Sequence, residues 1–158
     1  MKRISKDAYY LEIAQAVSQR STCLKRRYGV VIVKNDEIIA TGYNGSVRGE
    51  PNCCDIGFCK RLDKPSNSGD YSDCHSVHAE QNAIISASRS EMMGATMYLY
   101  GEQLEYFPYC PPGTKLETAV HPVWTQLTAP EPCPICRRMI ANAGIIRVVT
   151  PDKCSDDE

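Results

Sequence analysis

The hydrophobic pattern near the N-terminus changes from helical spacing to strand-like runs. From Lys6 to Gln19, apolar side chains recur at steps of three and four residues, which predicts an amphipathic helix. The nearly unbroken apolar run from Tyr28 to Lys34 predicts a buried strand. A tight turn at Asn35-Asp36 follows, and Glu37 to Gly42 predicts the second strand of a hairpin.

The middle of the chain passes from a polar loop back to regular structure. Gly, Pro, Ser, Asn and Cys are frequent from about Tyr43 to Val77, and a loop of this length inside a compact domain requires a stabilising cause. A bound metal is one such cause. Helical spacing returns from His78 to Ser90, and the segment from Ala95 to Tyr100 predicts a strand.

The last third of the chain combines an irregular segment with a final helix and strand. Residues 102–131 contain five prolines, which predicts an extended, irregular insertion with room for one short strand. The segment from Cys133 to Ala143 predicts a helix closed by Gly144, and Ile145 to Thr150 predicts the last strand. The order of these elements predicts one α/β domain over residues 1–158, with both strand directions in its sheet.

Length and charge exclude several classes of protein. A net charge of −1 over 158 residues argues against a general nucleic-acid-binding protein. No apolar run approaches the ~20 residues of a membrane span, and the first residues lack the apolar segment of a secretory signal. We therefore expect a cytoplasmic protein with neither a nucleic-acid nor a membrane partner.

The cysteine content points to metal rather than to disulfides. Nine cysteines are many for a chain of this size, but the number is odd and no export signal is evident. Clustered cysteines near histidine in a reducing compartment usually bind metal. The cysteines occupy positions 23, 53, 54, 59, 74, 110, 133, 136 and 154.

Two short motifs contain the residue types of a catalytic zinc site. His78-Ala79-Glu80 opens one predicted helix, and Pro132-Cys133-Pro134-Ile135-Cys136 opens another. The combination of H-x-E with P-C-x-x-C is the signature of zinc deaminases. A catalytic zinc takes three protein ligands and keeps a fourth position for water, so His78, Cys133 and Cys136 are the predicted ligands. Cys-x-x-Cys alone also occurs in structural zinc and redox sites, and a histidine at a helix start often only caps the helix.

Glu80 is the predicted proton carrier of this site. Residues two apart on a helix face different directions, so Glu80 is poorly placed to bind the metal that His78 holds. It can instead reach the bound water, pass a proton to the ring nitrogen and protonate the departing ammonia. Attack of the zinc-bound hydroxide at C4 would convert a cytosine base to uracil.

Four further stretches resemble the deoxycytidylate deaminase family. They are residues 20–23 (Arg-Ser-Thr-Cys), 42–45 (Gly-Tyr-Asn-Gly), 52–55 (Asn-Cys-Cys-Asp) and 74–84, which include the His-Ala-Glu motif. The resemblance implies the three-layer α/β/α fold of the cytidine deaminase-like superfamily, with a central mixed sheet. It also implies deamination of dCMP to dUMP, which feeds thymidylate synthesis, and assembly into hexamers or dimers.

The same resemblance implies substrate and effector residues. Asn44 would contact the sugar through an amide that offers both a donor and an acceptor, although this amide could serve only the turn backbone. Arg27 is the candidate for the 5′-phosphate, with a solvated surface arginine as the alternative, and Ala79 is a further substrate contact. Control by dCTP and dTTP is common in the family, and Gly42, Tyr43, Asn44 and Gly45 correspond to part of the effector site.

Some family members also carry a structural zinc near the long loop. The matching residues here are three cysteines and one of three further side chains: Cys23, Cys53 and Cys74, with His75, Cys54 or Cys59. A closed site with four ligands would fix a loop that is too polar to bury itself. Several of these residues could equally be reduced thiols packed in the interior.

Two departures from the family pattern leave the substrate open. The insertion at 102–131 is unusually long and carries aromatic residues that could line the pocket or pack between subunits: Tyr106, Phe107, Tyr109 and Trp124. The final helix and strand of many relatives are also expected to be missing after Thr150. Alternative substrates are cytidine, deoxycytidine, dCTP or a modified nucleotide. A different alternative is an inactive, zinc-stabilised module that senses deoxynucleotides, although the presence of Glu80 argues against it.

Overall fold

A computed structural model describes residues 3–62, 64–66, 71–106 and 122–154. The helices and strands are α1 (Lys6–Ser18), β1 (Arg26–Lys34), β2 (Glu37–Tyr43), β3 (Gly45–Ser46), α2 (Cys53–Ile56), β4 (Ser76–Val77), α3 (Ala79–Ile84), α4 (Arg89–Met92), β5 (Thr96–Tyr106), β6 (Val123–Gln126), α5 (Pro134–Ala143) and β7 (Arg147–Val149), followed by a 3₁₀ turn at Pro151–Lys153. None of the helices in these ranges is both long and apolar enough to cross a membrane.

A mixed sheet lies at the centre of the fold. β1 pairs antiparallel with β2 on one side and with β5 on the other. β7 runs parallel to the first part of β5, and β6 runs antiparallel to its last part, so the two strands share one edge of β5. The predicted mixture of strand directions is therefore confirmed.

Helices cover both faces of this sheet. Tyr10 and Ala14 of α1 pack on one face against Val31. On the other face, Ala83 of α3 and Ile140 of α5 belong to a second buried cluster. Because both faces of β1 are covered, the strand needs apolar residues at consecutive positions, as the sequence shows. This is the predicted three-layer α/β/α arrangement.

The helix predicted from His78 to Ser90 is wrong in its extent. α3 ends at Ile84, and a separate short helix, α4, begins after Ser88. The Ser88 hydroxyl accepts a hydrogen bond from the Glu91 N–H at 3.3 Å, and the Glu91 carboxylate accepts one from the Ser88 N–H at 2.9 Å. This reciprocal capping box starts a new helix at a position where helical spacing alone predicts continuation.

The long loop from Tyr43 to Val77 contains short regular elements. β3 pairs with β4, which places Gly45 opposite Val77. The pairing joins the beginning and the end of the loop immediately before α3. The loop is therefore closed at its base by backbone hydrogen bonds.

The predicted insertion is described only at its two ends. β5 continues to Tyr106 instead of ending at Tyr100, and residues 123–126 form the one short strand that was expected. The two segments pair as the outer part of the sheet. Phe107 and Tyr109 lie outside the described residues.

Candidate zinc site and substrate cavity

His78 occupies the N-cap position of α3. Its backbone is extended, with φ −71° and ψ 154°, and its N–H donates to the side-chain oxygen of Gln81 at 3.0 Å. Because His78 precedes the first helical residue, its side chain is not confined to the helix surface. Burial, assisted by the positive charge of Arg61, lowers the pKa of His78, which favours the neutral imidazole that metals bind.

Cys133 and Cys136 lie in the same way at the start of α5. Cys133 is the N-cap, Pro134 follows at the first helical position, and the Cys136 N–H donates to the Cys133 sulfur at 3.5 Å. Both thiols are buried. Burial, together with the nearby Glu80 carboxylate, raises the pKa of Cys136, so a bound cation is needed to hold this residue as a thiolate.

These three residues converge with the spacing of a zinc site. The His78 Nδ1 lies 3.5 Å from the Cys133 sulfur and 3.4 Å from the Cys136 sulfur, and all three donor atoms lie within 4.8 Å of one another. Zinc–sulfur bonds of about 2.3 Å and zinc–nitrogen bonds of about 2.0 Å in a tetrahedral site require a nitrogen–sulfur separation of about 3.5 Å. The donor set and its distances therefore fit zinc.

Glu80 lies beside this group without belonging to it. It is the second residue of α3 and is 5 % exposed. Burial raises the pKa of its carboxyl group. Its side chain lines the same cavity as His78 and Cys133, so it lies near the ligands and can exchange protons with a molecule bound there.

The site lies in a cavity that brings together residues from distant parts of the sequence. His78, Glu80 and Cys133 line it together with Asn44. Its volume is about 720 Å³, with the open space at the mouth included. Three cationic side chains also line the cavity: Lys25, Arg26 and Arg61.

Asn44 lines this cavity, but its side chain also serves the backbone. Its Oδ1 accepts from the Tyr28 N–H at 2.7 Å and from the Ser21 hydroxyl at 2.8 Å, and its Nδ2 donates to the Arg26 carbonyl at 2.9 Å. Both lone pairs of the amide oxygen are thus used, while the amide nitrogen has two protons. Asn44 can therefore offer a ligand a donor, and not the donor and acceptor that the sequence suggested.

Arg27 lies on the opposite side of the sheet from the cavity. Its Nε donates to Glu102 at 2.5 Å, and its guanidinium lies 4.1 Å from the ring centroid of Trp124. Successive side chains of a strand point to opposite faces, so Arg26, and not Arg27, lines the cavity. Arg26 donates to the Tyr28 hydroxyl at 3.2 Å. The position of Arg27 therefore gives no support to its predicted contact with phosphate.

Gly42 and Ala79 form a close contact between β2 and α3. A Cβ atom at Gly42 would lie 2.3 Å from the Ala79 carbonyl oxygen and 2.4 Å from the Ala83 nitrogen. Glycine at this position therefore allows α3, with His78 at its start, to pack on the strand. Ala79 itself is fully buried.

The other residues of the predicted effector segment have different surroundings. Tyr43 is partly exposed, and its carbonyl accepts from the Asn82 side chain at 2.8 Å. A Cβ atom at Gly45 would lie 2.8 Å from the Thr22 hydroxyl oxygen. These contacts give the segment a packing function, and its predicted response to effectors stays a prediction.

The residues of the predicted second zinc site lie in the same region without converging on one point. Cys23 and Cys74 line the cavity, Cys53 begins α2, and His75 is exposed. Burial, reinforced by the charges of Cys59 and Cys53, raises the pKa of Cys23 to about 11. Over the described ranges, the zinc ligands at His78, Cys133 and Cys136 are the only group of three donor atoms this close together.

A comparison with protein families connects this site to a known class. The model of the cytidine and deoxycytidylate deaminase zinc-binding region matches residues 4–151. The chain belongs to this family. The family and the fold class predicted from the sequence are therefore both confirmed.

Curated relatives include deoxycytidylate deaminases of very different lengths. The protein from Mycobacterium phage D29 is 34 % identical over 157 residues, which cover 96 % of this chain and 98 % of the phage protein. The protein from Schizosaccharomyces pombe is 44 % identical over 99 residues, or 62 % of this chain. The match spans only 30 % of the yeast protein, so most of the yeast protein lies outside the aligned region.

A solved structure of a dCMP deaminase has a similar fold. The dCMP deaminase of cyanophage S-TIM5 in apo form is 25 % identical, with a TM-score of 0.56 over 91 % of this chain and 80 % of that chain. The structure of that cyanophage enzyme in complex with dCMP and dUMP gives a TM-score of 0.55 at 23 % identity, over 95 % and 83 % of the two chains.

The predicted site residues did not include Arg26, Tyr28, Arg61 or Tyr71, which line the cavity. Arg26 and Tyr28 share a face of β1, and strand alternation shows that Arg26 and Arg27 cannot both face one site. No sequence signal identified which of the two faces the cavity. Arg61 and Tyr71 lie in the irregular loop, where no periodicity predicts the direction of a side chain.

Proposed function

We propose that the chain is a zinc-dependent hydrolase that converts dCMP to dUMP and releases ammonia. The observation that carries this proposal is the convergence of one imidazole and two thiols beside the buried carboxyl group of Glu80. Family membership supports the deaminase chemistry. The names of the relatives support dCMP as the substrate.

Each residue of the site has a separate task in this reaction. Zinc held by His78, Cys133 and Cys136 would supply a Lewis acid that activates water at neutral pH. Glu80 would take a proton from the attacking water, deliver it to the ring nitrogen and protonate the departing amine. The remaining N–H of the Asn44 amide would donate to a sugar hydroxyl. Ala79 is fully buried and does not line the cavity, so its position gives no support to the substrate contact predicted for it.

The cations of the cavity wall would hold the 5′-phosphate. Arg26 and Arg61 line the cavity, and a guanidinium suits a phosphate because of its planar array of donors. The Lys25 ammonium donates to the carbonyls of Arg61 and Lys64, so it fixes the loop that carries Arg61. Arg26 and Arg61 therefore replace Arg27 as the proposed phosphate contacts.

Ammonia release from a panel of substrates tests the reaction and its substrate together. The panel contains dCMP, deoxycytidine, cytidine and dCTP, and dCMP should give the highest kcat/KM. Glu80→Gln should lose about 10²- to 10⁴-fold in kcat while its zinc content stays unchanged. Full turnover by this variant would overturn the proposed role of Glu80. A preference for an unphosphorylated nucleoside would show that the enzyme acts on a different substrate.

Two adjacent arginines provide a matched test of the phosphate site. Arg26→Gln should raise KM for dCMP about tenfold or more and leave kcat/KM for deoxycytidine nearly unchanged, because deoxycytidine carries no phosphate. Arg27→Gln is the control, since its side chain lies on the other face of the sheet. Equal effects of Arg26→Gln on both substrates would exclude a phosphate contact.

A second, structural zinc remains part of the proposal. The residue types support it: Cys23, Cys53 and Cys74 offer sulfur donors, and His75 or another side chain of the loop could supply the fourth ligand. Metal analysis should find about two zinc ions per chain and about one after Cys53→Ser. One zinc per chain in both proteins would exclude the second site.

Regulation, assembly and location complete the proposed function. We expect dCTP and dTTP to act through residues 42–45, and the chain to form hexamers or dimers in the cytoplasm. Adding each nucleotide to the ammonia assay tests the regulation, and sedimentation velocity measures the oligomer. Identical kinetics with and without both nucleotides would remove the effector site from the proposal.

A further inference from the structure

Tyr71 has a buried hydroxyl group that the proposed reaction leaves without a function. The hydroxyl oxygen is almost inaccessible to solvent and has no hydrogen-bond partner among the described residues. A buried donor without an acceptor is destabilising, because it has lost its hydrogen bonds to water and gained none in the protein. A group of this kind calls for an acceptor, and binding of an ion in the cavity is one way to create it.

Contacts on two sides hold the Tyr71 ring beside the zinc ligands. Its centroid lies 4.9 Å from that of the His78 imidazole, with an angle of 83° between the planes. The Arg61 guanidinium lies 4.8 Å from the Tyr71 ring centroid, and the Arg61 carbonyl accepts from the Lys25 ammonium at 2.7 Å. These contacts fix the direction of the hydroxyl.

Cys133 is the neighbour that can become this acceptor. The Tyr71 ring contacts the His78 imidazole, whose Nδ1 lies 3.5 Å from the Cys133 sulfur. Tyr71 and Cys133 also line the same cavity, so the hydroxyl and the sulfur lie in the same part of the site. A thiol that carries its proton is a weak acceptor, whereas a metal-bound thiolate accepts strong hydrogen bonds. Metal binding would therefore create the partner that the Tyr71 hydroxyl lacks.

We propose that Tyr71 is a positioning residue that donates a hydrogen bond to the Cys133 thiolate of the zinc site. This bond withdraws negative charge from the sulfur and holds Cys133 in one orientation. The inference rests on the proposed zinc site and is independent of dCMP as the substrate. Loss of such an outer hydrogen bond typically costs 10- to 100-fold in metal affinity or activity.

The test uses Tyr71→Phe, which keeps the ring contacts and removes only the hydroxyl. With cobalt(II) in place of zinc, the thiolate-to-cobalt charge-transfer band should move to longer wavelength, because the sulfur loses a hydrogen bond. Zinc affinity, measured by competition with a chelator, should fall about tenfold. Tyr28→Phe is the matched control: its hydroxyl lies in the same cavity but accepts from Arg26, so the band should not move.

The possible outcomes separate this inference from its alternatives. An unchanged band and zinc affinity, with KM for dCMP raised, would mean that the hydroxyl contacts the substrate and would overturn the inference. An unchanged band with only a lower melting temperature would assign Tyr71 to stability and would overturn it as well. The spectrum needs no substrate, so absence of turnover with dCMP would affect the proposed function and leave this test intact.

Discussion

Replacing Gly42 by alanine should damage the zinc site from a distance, through the position of α3. The new Cβ atom would lie 2.3 Å from the Ala79 carbonyl oxygen. Reaching the 3.4 Å of an ordinary contact requires a displacement of about 1.1 Å, and the obstacle is backbone that cannot rotate away. α3 positions both His78 and Glu80, and metal sites tolerate ligand errors of only about 0.2 Å.

The expected magnitudes follow from that displacement. Forcing an extra methyl group into a packed contact costs about 1–3 kcal/mol of unfolding free energy. A misplacement of about 1 Å in a catalytic site costs about 10²-fold in rate. Gly42→Ala should therefore lower kcat/KM for dCMP by about two orders of magnitude and weaken zinc binding.

Gly29→Ala is the matched control for this experiment. A Cβ atom at Gly29 would lie 1.9 Å from the Ala14 carbonyl oxygen of α1, a helix that carries no zinc ligand. Both variants should lose stability in urea denaturation, but only Gly42→Ala should lose zinc affinity and activity when assayed as folded protein. If the two variants lose activity equally at equal loss of stability, the displacement of α3 is not the cause.

Two further predictions concern stability. Arg147→Met should cost about 2 kcal/mol of unfolding free energy in urea denaturation, because it removes the half-exposed guanidinium that donates to the buried Asp7 carboxylate at 2.5 Å, while the Tyr98 hydroxyl still donates to Asp7. Arg137→Met, which breaks an exposed pair, should cost less than about 1 kcal/mol. Equal losses of unfolding free energy in the two variants would show that the burial of Asp7 does not strengthen its ion pair. Burial, followed by the hydrogen bond to Asp36, raises the pKa of Tyr10 to about 12 from its usual value of about 10. The protonated Tyr10 hydroxyl should thus contribute fully to stability below about pH 10 and lose this contribution as the pH rises to about 12. The difference in unfolding free energy between wild type and Tyr10→Phe should therefore shrink over that range. A constant difference would contradict this reasoning.

The zinc ligands could be predicted from the sequence because their arrangement is mostly local. His78 and Cys133 are N-caps, and Cys136 is one turn into α5, so a few neighbouring residues set the direction of each side chain. The position of Glu80 also follows from its spacing to His78. Helix α4 could not be separated from α3 in this way, because helical spacing continues across the Ser88 capping box.

The sequence by itself determined the donor atoms, the order of the main helices and strands, and the buried character of β1. Only the tertiary structure decided that the face of β1 with Arg26, and not the face with Arg27, lines the cavity. It also decided that Arg61 and Tyr71 reach the cavity from an irregular loop. The physical reason is the sequence distance over which each effect acts. Capping and strand alternation act over a few residues, whereas the face of β1 that lines the cavity depends on which helix packs on that face. That choice is made by long-range contacts such as the one between Gly42 and Ala79, which no local pattern encodes.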